Sequence, residues 1–174
     1  MKEDLRKTVL TGIGIALFTV LTLCLQVPVF QNYYLCLGYI AMAAYCYILG
    51  ALCGTIVGSF GVIVYCLLTS GLRGMPGWAL GNIAIGICLG LVSKRIKDLP
   101  NVLLGAAAWT VTAVISTALG ILGVKSLVDS LIRSQPFLVR AGMNIYAFIA
   151  DAAVLILAYP LCRKLDGYFR EKQQ

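Results

Sequence analysis

The sequence predicts an all-α membrane protein, a bundle of six transmembrane helices with both termini on the cytoplasmic side. Three observations carry this expectation. The chain is 60% hydrophobic and 12% charged over 174 residues, whereas a soluble chain carries about a quarter charged residues. Residues 8–72, a run of 65 positions between Lys7 and Arg73, hold no charge. A fold exposed to water could not build its surface from such a run, but a bilayer requires one. The 14 basic residues fall in short clusters at the ends of apolar stretches. That placement assigns the net charge of +7 to membrane boundaries and argues against a nucleic-acid partner.

The chain reads as a single membrane domain over 1–174. Crossing a ~30 Å hydrocarbon core takes about 20 helical residues. The first span is expected over 8–29. It has no clean small-residue cleavage site after it, so it reads as a helix that stays rather than a signal peptide. Pro28, Gln31, Asn32, Tyr33 and Tyr34 mark its exit, because proline, amides and interfacial tyrosines belong at a boundary. The apolar run from Gly38 to Ser70 is too long for one helix and divides best at Gly50–Gly54, giving spans over 38–51 and 54–70. The loop Gly71-Leu72-Arg73-Gly74-Met75-Pro76-Gly77 leads to a fourth span over 78–93, which stops at Lys94-Arg95-Ile96-Lys97. A fifth span is expected over 102–123. The more polar stretch from Val124 to Pro136 reads as a short surface helix, and a sixth span covers 137–162.

Charge bias tests this count. With six spans and the N-terminus inside, ten basic residues lie on the cytoplasmic side: Lys2, Arg6, Lys7, Lys94, Arg95, Lys97, Arg163, Lys164, Arg170 and Lys172. Four lie outside, namely Arg73, Lys125, Arg133 and Arg140. Five spans would give seven against seven, so the positive-inside rule favours six.

Composition also removes whole classes of chemistry. There is no histidine, which excludes Ser/His and Cys/His catalysis and His-ligated metal. The seven cysteines form no CxxC pair and mostly lie inside apolar runs, where they serve as small packing residues. No P-loop pattern is present, and nothing points to a cofactor.

In lipid, close backbone contact matters more than apolar burial for holding helices together. Gly50, Gly54 and Gly58, Gly77 with Gly81, Gly86 with Gly90, and Gly12 with Ala16 repeat small residues at four-residue spacing. They predict a tight bundle, and one such stripe is free to meet a partner protein.

Polar groups inside a span need a reason. Asp151 lies deep in the sixth span, where a carboxylate costs about 2.5–3.5 kcal/mol on insertion scales. Arg140, Asn144 and Ala147 share its helix face, at helical offsets. This stripe either lines a cavity for a ligand or bonds to neighbouring helices. Trp78 and Asn82 stand one turn apart in the fourth span. Trp109, Thr112 and Ser116 are at helical spacing in the fifth. A tryptophan can stack on a flat heteroaromatic ring while amides fix its polar edge. For Trp78 an interfacial anchor competes with that role, and for Thr112 and Ser116 a bond within the helix is favoured. Asn32, Tyr33 and Tyr34 in the first loop and Arg73 in the third could close over a ligand.

The chain resembles the substrate-binding S components of energy-coupling factor (ECF) transporters. The resemblance rests on Tyr33-Tyr34-Leu35-Cys36-Leu37-Gly38-Tyr39, on the glycine-rich run Leu49–Gly61, on Gly77-Trp78-Ala79-Leu80-Gly81-Asn82, and on Asn144-Ile145-Tyr146 through Ala158-Tyr159-Pro160. It covers nearly the whole length and is closest to the riboflavin-type branch. Tyr39 departs from that branch, which often places an acidic residue there. The resemblance implies six helices and a vitamin or related micronutrient captured at high affinity from outside. The ligand would be held by helices four to six and covered by loops, regions matched here by Asn32, Tyr33, Tyr34, Arg73, Trp78, Asn82, Trp109 and Asn144. It further implies that small residues on the first helix, matched by Gly12 and Ala16, contact a coupling membrane subunit, and that two ATPases supply the energy, so that this chain is not an enzyme. Two rival readings stand beside it. One is a structural or regulatory membrane subunit without its own ligand. The other is a small membrane enzyme, disfavoured by a lone intramembrane carboxylate.

Overall fold

The computed structural model describes residues 2–24, 27–30, 33–69, 71–72 and 74–171. The elements are α1 (Lys2–Cys24), a hairpin of β1 (Val27–Phe30) and β2 (Tyr33–Leu35), α2 (Gly38–Ile48), α3 (Ala51–Leu68), α4 (Met75–Lys97), α5 (Val102–Thr117), a π-helical segment (Ala118–Lys125), α6 (Ser126–Arg133), α7 (Phe137–Leu157) and α8 (Tyr159–Glu171). Five helical stretches are long and apolar enough to cross a membrane: Leu5–Cys24, Ala51–Leu68, Met75–Lys97, Val102–Arg133 and Phe137–Phe169.

Two boundaries differ from the expectation for a local reason, and a third element differs in burial. The first helix stops at Cys24 rather than residue 29, and Val27 pairs with Leu35 and Pro28 with Tyr34 in an antiparallel hairpin. Val27 and Val29 favour extended backbone, and Pro28 cannot sit in a helix interior. The expected span 38–51 is an 11-residue helix, about 16 Å long at 1.5 Å per residue and too short to cross a bilayer alone. It ends where Gly50 takes φ +94°, a conformation glycine adopts freely, and α3 starts at once. The expected surface helix between Val124 and Pro136 is real, but α6 buries Ser126 and Asp129.

Named contacts give the direction of each helix. Leu10, Phe18 and Thr22 of α1 meet Tyr45, Tyr39 and Cys36 in that order, so α1 and α2 are antiparallel. A side chain at Gly54 would strike Cys46 and one at Gly58 would strike Met42, so α2 and α3 are antiparallel too. The same logic through Gly58 and Asn82, Gly77 and Asp129, and Ser126 and Asn144 sets α4, the α5–α6 rod and α7 in alternation. The start of α1 and the whole of α8 therefore share one end of the bundle, and the hairpin, the start of α4 and α6 share the other.

The small-residue spacing does what the sequence implied. A Cβ on Gly90 would run into the Ala51 backbone, so α3 and α4 approach as closely as backbones can. Many large apolar side chains point outward instead, among them Leu52, Leu67, Leu91, Leu103 and Leu157, as a lipid-facing surface requires. At the end that carries the termini, Lys97 Nζ pairs with Asp166 Oδ1 at 2.8 Å and lies 5.0 Å from the Tyr47 ring centroid, which fastens α8 to α4 and α2.

Candidate functional site

The first turn of α2 and the first two turns of α4 carry a buried polar chain whose every direction is fixed by chemistry. Trp78 Nε1–H can only donate, and it donates to Tyr39 Oη at 3.0 Å. Asn82 Nδ2 donates to the Gly58 carbonyl at 2.9 Å. That bond turns Asn82 Oδ1 toward Tyr39, whose hydroxyl donates to it at 2.7 Å. The path therefore runs from Trp78 through Tyr39 and Asn82 to Gly58. Tyr39 and Asn82 are fully buried, so no water competes for these bonds.

Two helices close on this chain from the other side. Asp151 of α7 is buried and lies in the field of Lys125. Lys125 ends the π-helical segment and lies 5.9 Å from the Trp78 ring centroid, and Tyr65 meets the same ring edge to face at 5.7 Å. One residue later, Ser126 Oγ accepts from Asn144 Nδ2 at 2.9 Å and donates to the Ile121 carbonyl. The wide π turn sets Lys125 toward Trp78 and Ser126 toward α7; such segments recur at functional sites.

The expected site residues thus divide. Trp78, Asn82 and Asp151 meet around Tyr39. Asn144 joins through Ser126, and Arg140 stands one turn before it on α7. Trp109 goes elsewhere. Its ring is fully buried against Tyr47 at 5.7 Å and Tyr159 at 5.8 Å, and its Nε1–H donates to the Leu155 carbonyl at 2.8 Å. It is a core residue toward the termini, because its position in α5 faces the start of α8 rather than α4. Thr112 and Ser116 bond to the carbonyls of Ala108 and Ala113 in their own helix. Tyr33 and Tyr34 lie on β2, and Asn32 and Arg73 fall outside the described residues. Gly12 and Ala16 are exposed on α1.

Sequence reasoning did not place Tyr39, Lys125, Ser126 or Asp129 in the site. Tyr39 carried a signal, since a tyrosine within an apolar run must satisfy its hydroxyl. Trp109→Phe is expected to cost about 1–3 kcal/mol in stability, through the orphaned Leu155 carbonyl and lost ring contacts, and to leave ligand affinity unchanged. Thermal unfolding beside a binding titration checks this.

A family model described as ECF-type riboflavin transporter, S component, matches residues 2–166. The chain belongs to that family. It is a substrate-binding membrane subunit of an ECF importer, a multi-pass protein of the plasma membrane, and its family is one of transporter S components rather than enzymes. Compared with curated proteins, the chain has no significant match.

Proposed function

We propose that this S component captures a flat heteroaromatic vitamin, with riboflavin the first ligand to test, at the end of the bundle where α2, α4, α6 and α7 meet. The family match over residues 2–166 is the observation that carries the reading. The half-buried Trp78 supports it, because a tryptophan can stack on a flat ring, and its bond to Tyr39, held in turn by Asn82, fixes its orientation. Tyr33 and Tyr34 of the hairpin, with Asn32 and Arg73, cover the bound molecule. Arg140, Asn144 and Asp151 line the α7 side.

Both termini face the cytoplasm in this reading, and α2 serves as a sixth, partial span. The support is charge: among the described residues, nine basic residues belong to the end that carries the termini and three to the other. The substrate then enters from outside. The chain works with a coupling membrane subunit and two ATPases, within membrane lipid. Gly12 and Ala16, on an α1 face with exposed Val9, Ile13 and Val20, supply the docking surface.

Titration of the purified protein with riboflavin tests the ligand, read as quenching of flavin fluorescence by Trp78. Saturable one-to-one binding supports the proposal. A protein that ignores riboflavin and a vitamin panel, and releases no small molecule in native mass spectrometry, belongs to the reading of a subunit without its own ligand. Gly12→Leu tests the docking surface. It is expected to leave binding and unfolding unchanged and to cut ATP-driven uptake by about tenfold or more, since a branched side chain blocks close helix approach.

A further inference from the structure

The helix α6 is turned inside out. It buries Ser126 and Asp129 and exposes Leu127, Leu131 and Ile132. In water that arrangement would hide a carboxylate and show three large apolar side chains, the reverse of what solvation favours. The exposed row is not isolated. Val111, Ile115 and Leu119 are exposed at four-residue spacing along α5 and into the π-helical segment, and Leu127 and Leu131 carry the row on into α6. One apolar face therefore runs from the lipid-facing flank of α5 to the end of α6. Contacts with α4 set its depth. A Cβ on Gly81 would meet Gly120 and one on Gly77 would meet Asp129, so α6 lies level with the first turn of α4, where that span begins.

Beside this face lies an open groove of about 590 Å³, lined by Ala84, Leu119, Gly123, Val124, Leu127 and Phe137. Ala84 and Leu119 form its deep end. Leu127 of α6 and Phe137, the first residue of α7, form its end at the membrane boundary. Every wall residue is apolar, so the groove asks its occupant for no hydrogen bond. A partner helix would need small residues for close approach, yet Leu119, Leu127 and Phe137 project from the surface. A flexible hydrocarbon chain fits between such projections where a rigid helix does not. At the boundary end a cation stands ready: Arg133, exposed in the last turn of α6, comes four residues before Phe137.

We propose that this groove binds an anionic phospholipid of the leaflet at the hairpin end, with one acyl chain along the groove and the headgroup phosphate at Arg133. The continuity of the apolar face with the lipid-facing flank selects the chain, and the arginine at its boundary end selects the charge. The site is independent of which molecule the bundle captures, but it touches that function at one point. Val124 on the groove wall precedes Lys125, which lies 5.9 Å from the Trp78 ring centroid. A seated acyl chain therefore braces the π turn that presents Lys125.

The test titrates delipidated protein in mild detergent with palmitoyl-oleoyl phosphatidylglycerol, which is anionic, or with phosphatidylcholine of the same chains, which is zwitterionic. Native mass spectrometry and thermal unfolding are the two readouts. The wild type is expected to retain one phosphatidylglycerol at least about fivefold more strongly than phosphatidylcholine, the advantage one arginine gives at a charged membrane surface. Its unfolding temperature should rise as phosphatidylglycerol is added. Gly123→Leu fills the groove from its wall. Only the Ala118 carbonyl oxygen, at 3.9 Å, lies near the added Cβ. The fold is therefore expected to survive, while phosphatidylglycerol retention falls about tenfold or more and the thermal shift disappears. Arg133→Gln is expected to bring phosphatidylglycerol down to the phosphatidylcholine level. Unchanged retention in Gly123→Leu overturns the proposal, and so does an unchanged lipid preference in Arg133→Gln. Equal retention of the two lipids by the wild type also overturns it, and that result needs no variant to fold. A wild type that holds no lipid and has the mass of two chains overturns it in favour of a second copy on the same face.

Discussion

Tyr39→Phe is expected to destabilise the protein by about 2–4 kcal/mol and to abolish high-affinity ligand binding. The ring itself is kept, including its edge-to-face contact with Phe18 at 5.9 Å. What goes is one oxygen that accepts from Trp78 and donates to Asn82. Both partners are left unsatisfied, at about 1–3 kcal/mol for each dry polar group. Trp78 loses the bond that orients its indole. Thermal unfolding and riboflavin titration measure the two effects. The double variant Tyr39→Phe, Asn82→Leu sharpens the test. Removing both partners of one bond should cost clearly less than the sum of the single changes, because Asn82 Oδ1 is no longer there to be orphaned. Additive costs would mean that the two residues act independently and that the chain of bonds is not a unit.

The second large effect is a reversal of sign. In an exposed helix, Gly→Ala gains about 1 kcal/mol from the glycine's lost backbone freedom. Gly12→Ala on α1 should follow that rule or be neutral, since nothing lies within 4 Å of the new Cβ. Gly90→Ala on α4 should lose about 1–3 kcal/mol, as overpacked sites do. There the added carbon meets the Ala51 backbone, which cannot swing aside as a side chain would. The helices α3 and α4 must separate, and that seam also holds the Asn82–Gly58 bond. Loss of riboflavin affinity should therefore accompany the drop in unfolding temperature at Gly90 and be absent at Gly12. A Gly90→Ala protein as stable as the wild type would show that the α3–α4 contact is looser than described.

Much of the architecture was legible in residue types alone. The uncharged run of residues 8–72 forces membrane helices. Glycines at four-residue spacing forecast a tight bundle, and Gly86 and Gly90 face Thr55 and Ala51 of α3. Asn82, Asn144 and Asp151 could be picked out because a polar group within a span must find a partner. The expected pairing of Trp78 with Asn82 on one face of α4 is present and is bridged by Tyr39.

The partners themselves could not be read, because they come from other helices at large sequence separation. Trp78 and Trp109 look alike in sequence, each a tryptophan near small and hydroxyl residues. One bonds to Tyr39 across 39 positions and the other to Leu155 across 46, and only the helix arrangement sends them to opposite ends of the bundle. The polar stretch after Val124 has the composition of a surface helix. Its π-helical entry rotates Ser126 and Asp129 inward, a turn that hydrophobic periodicity does not encode. Sequence alone determined that this chain lives in a membrane and which side chains must be satisfied there, because solvation energy depends on residue type. Tertiary structure alone decided which groups satisfy one another, because hydrogen bonds depend on distance and direction between helices.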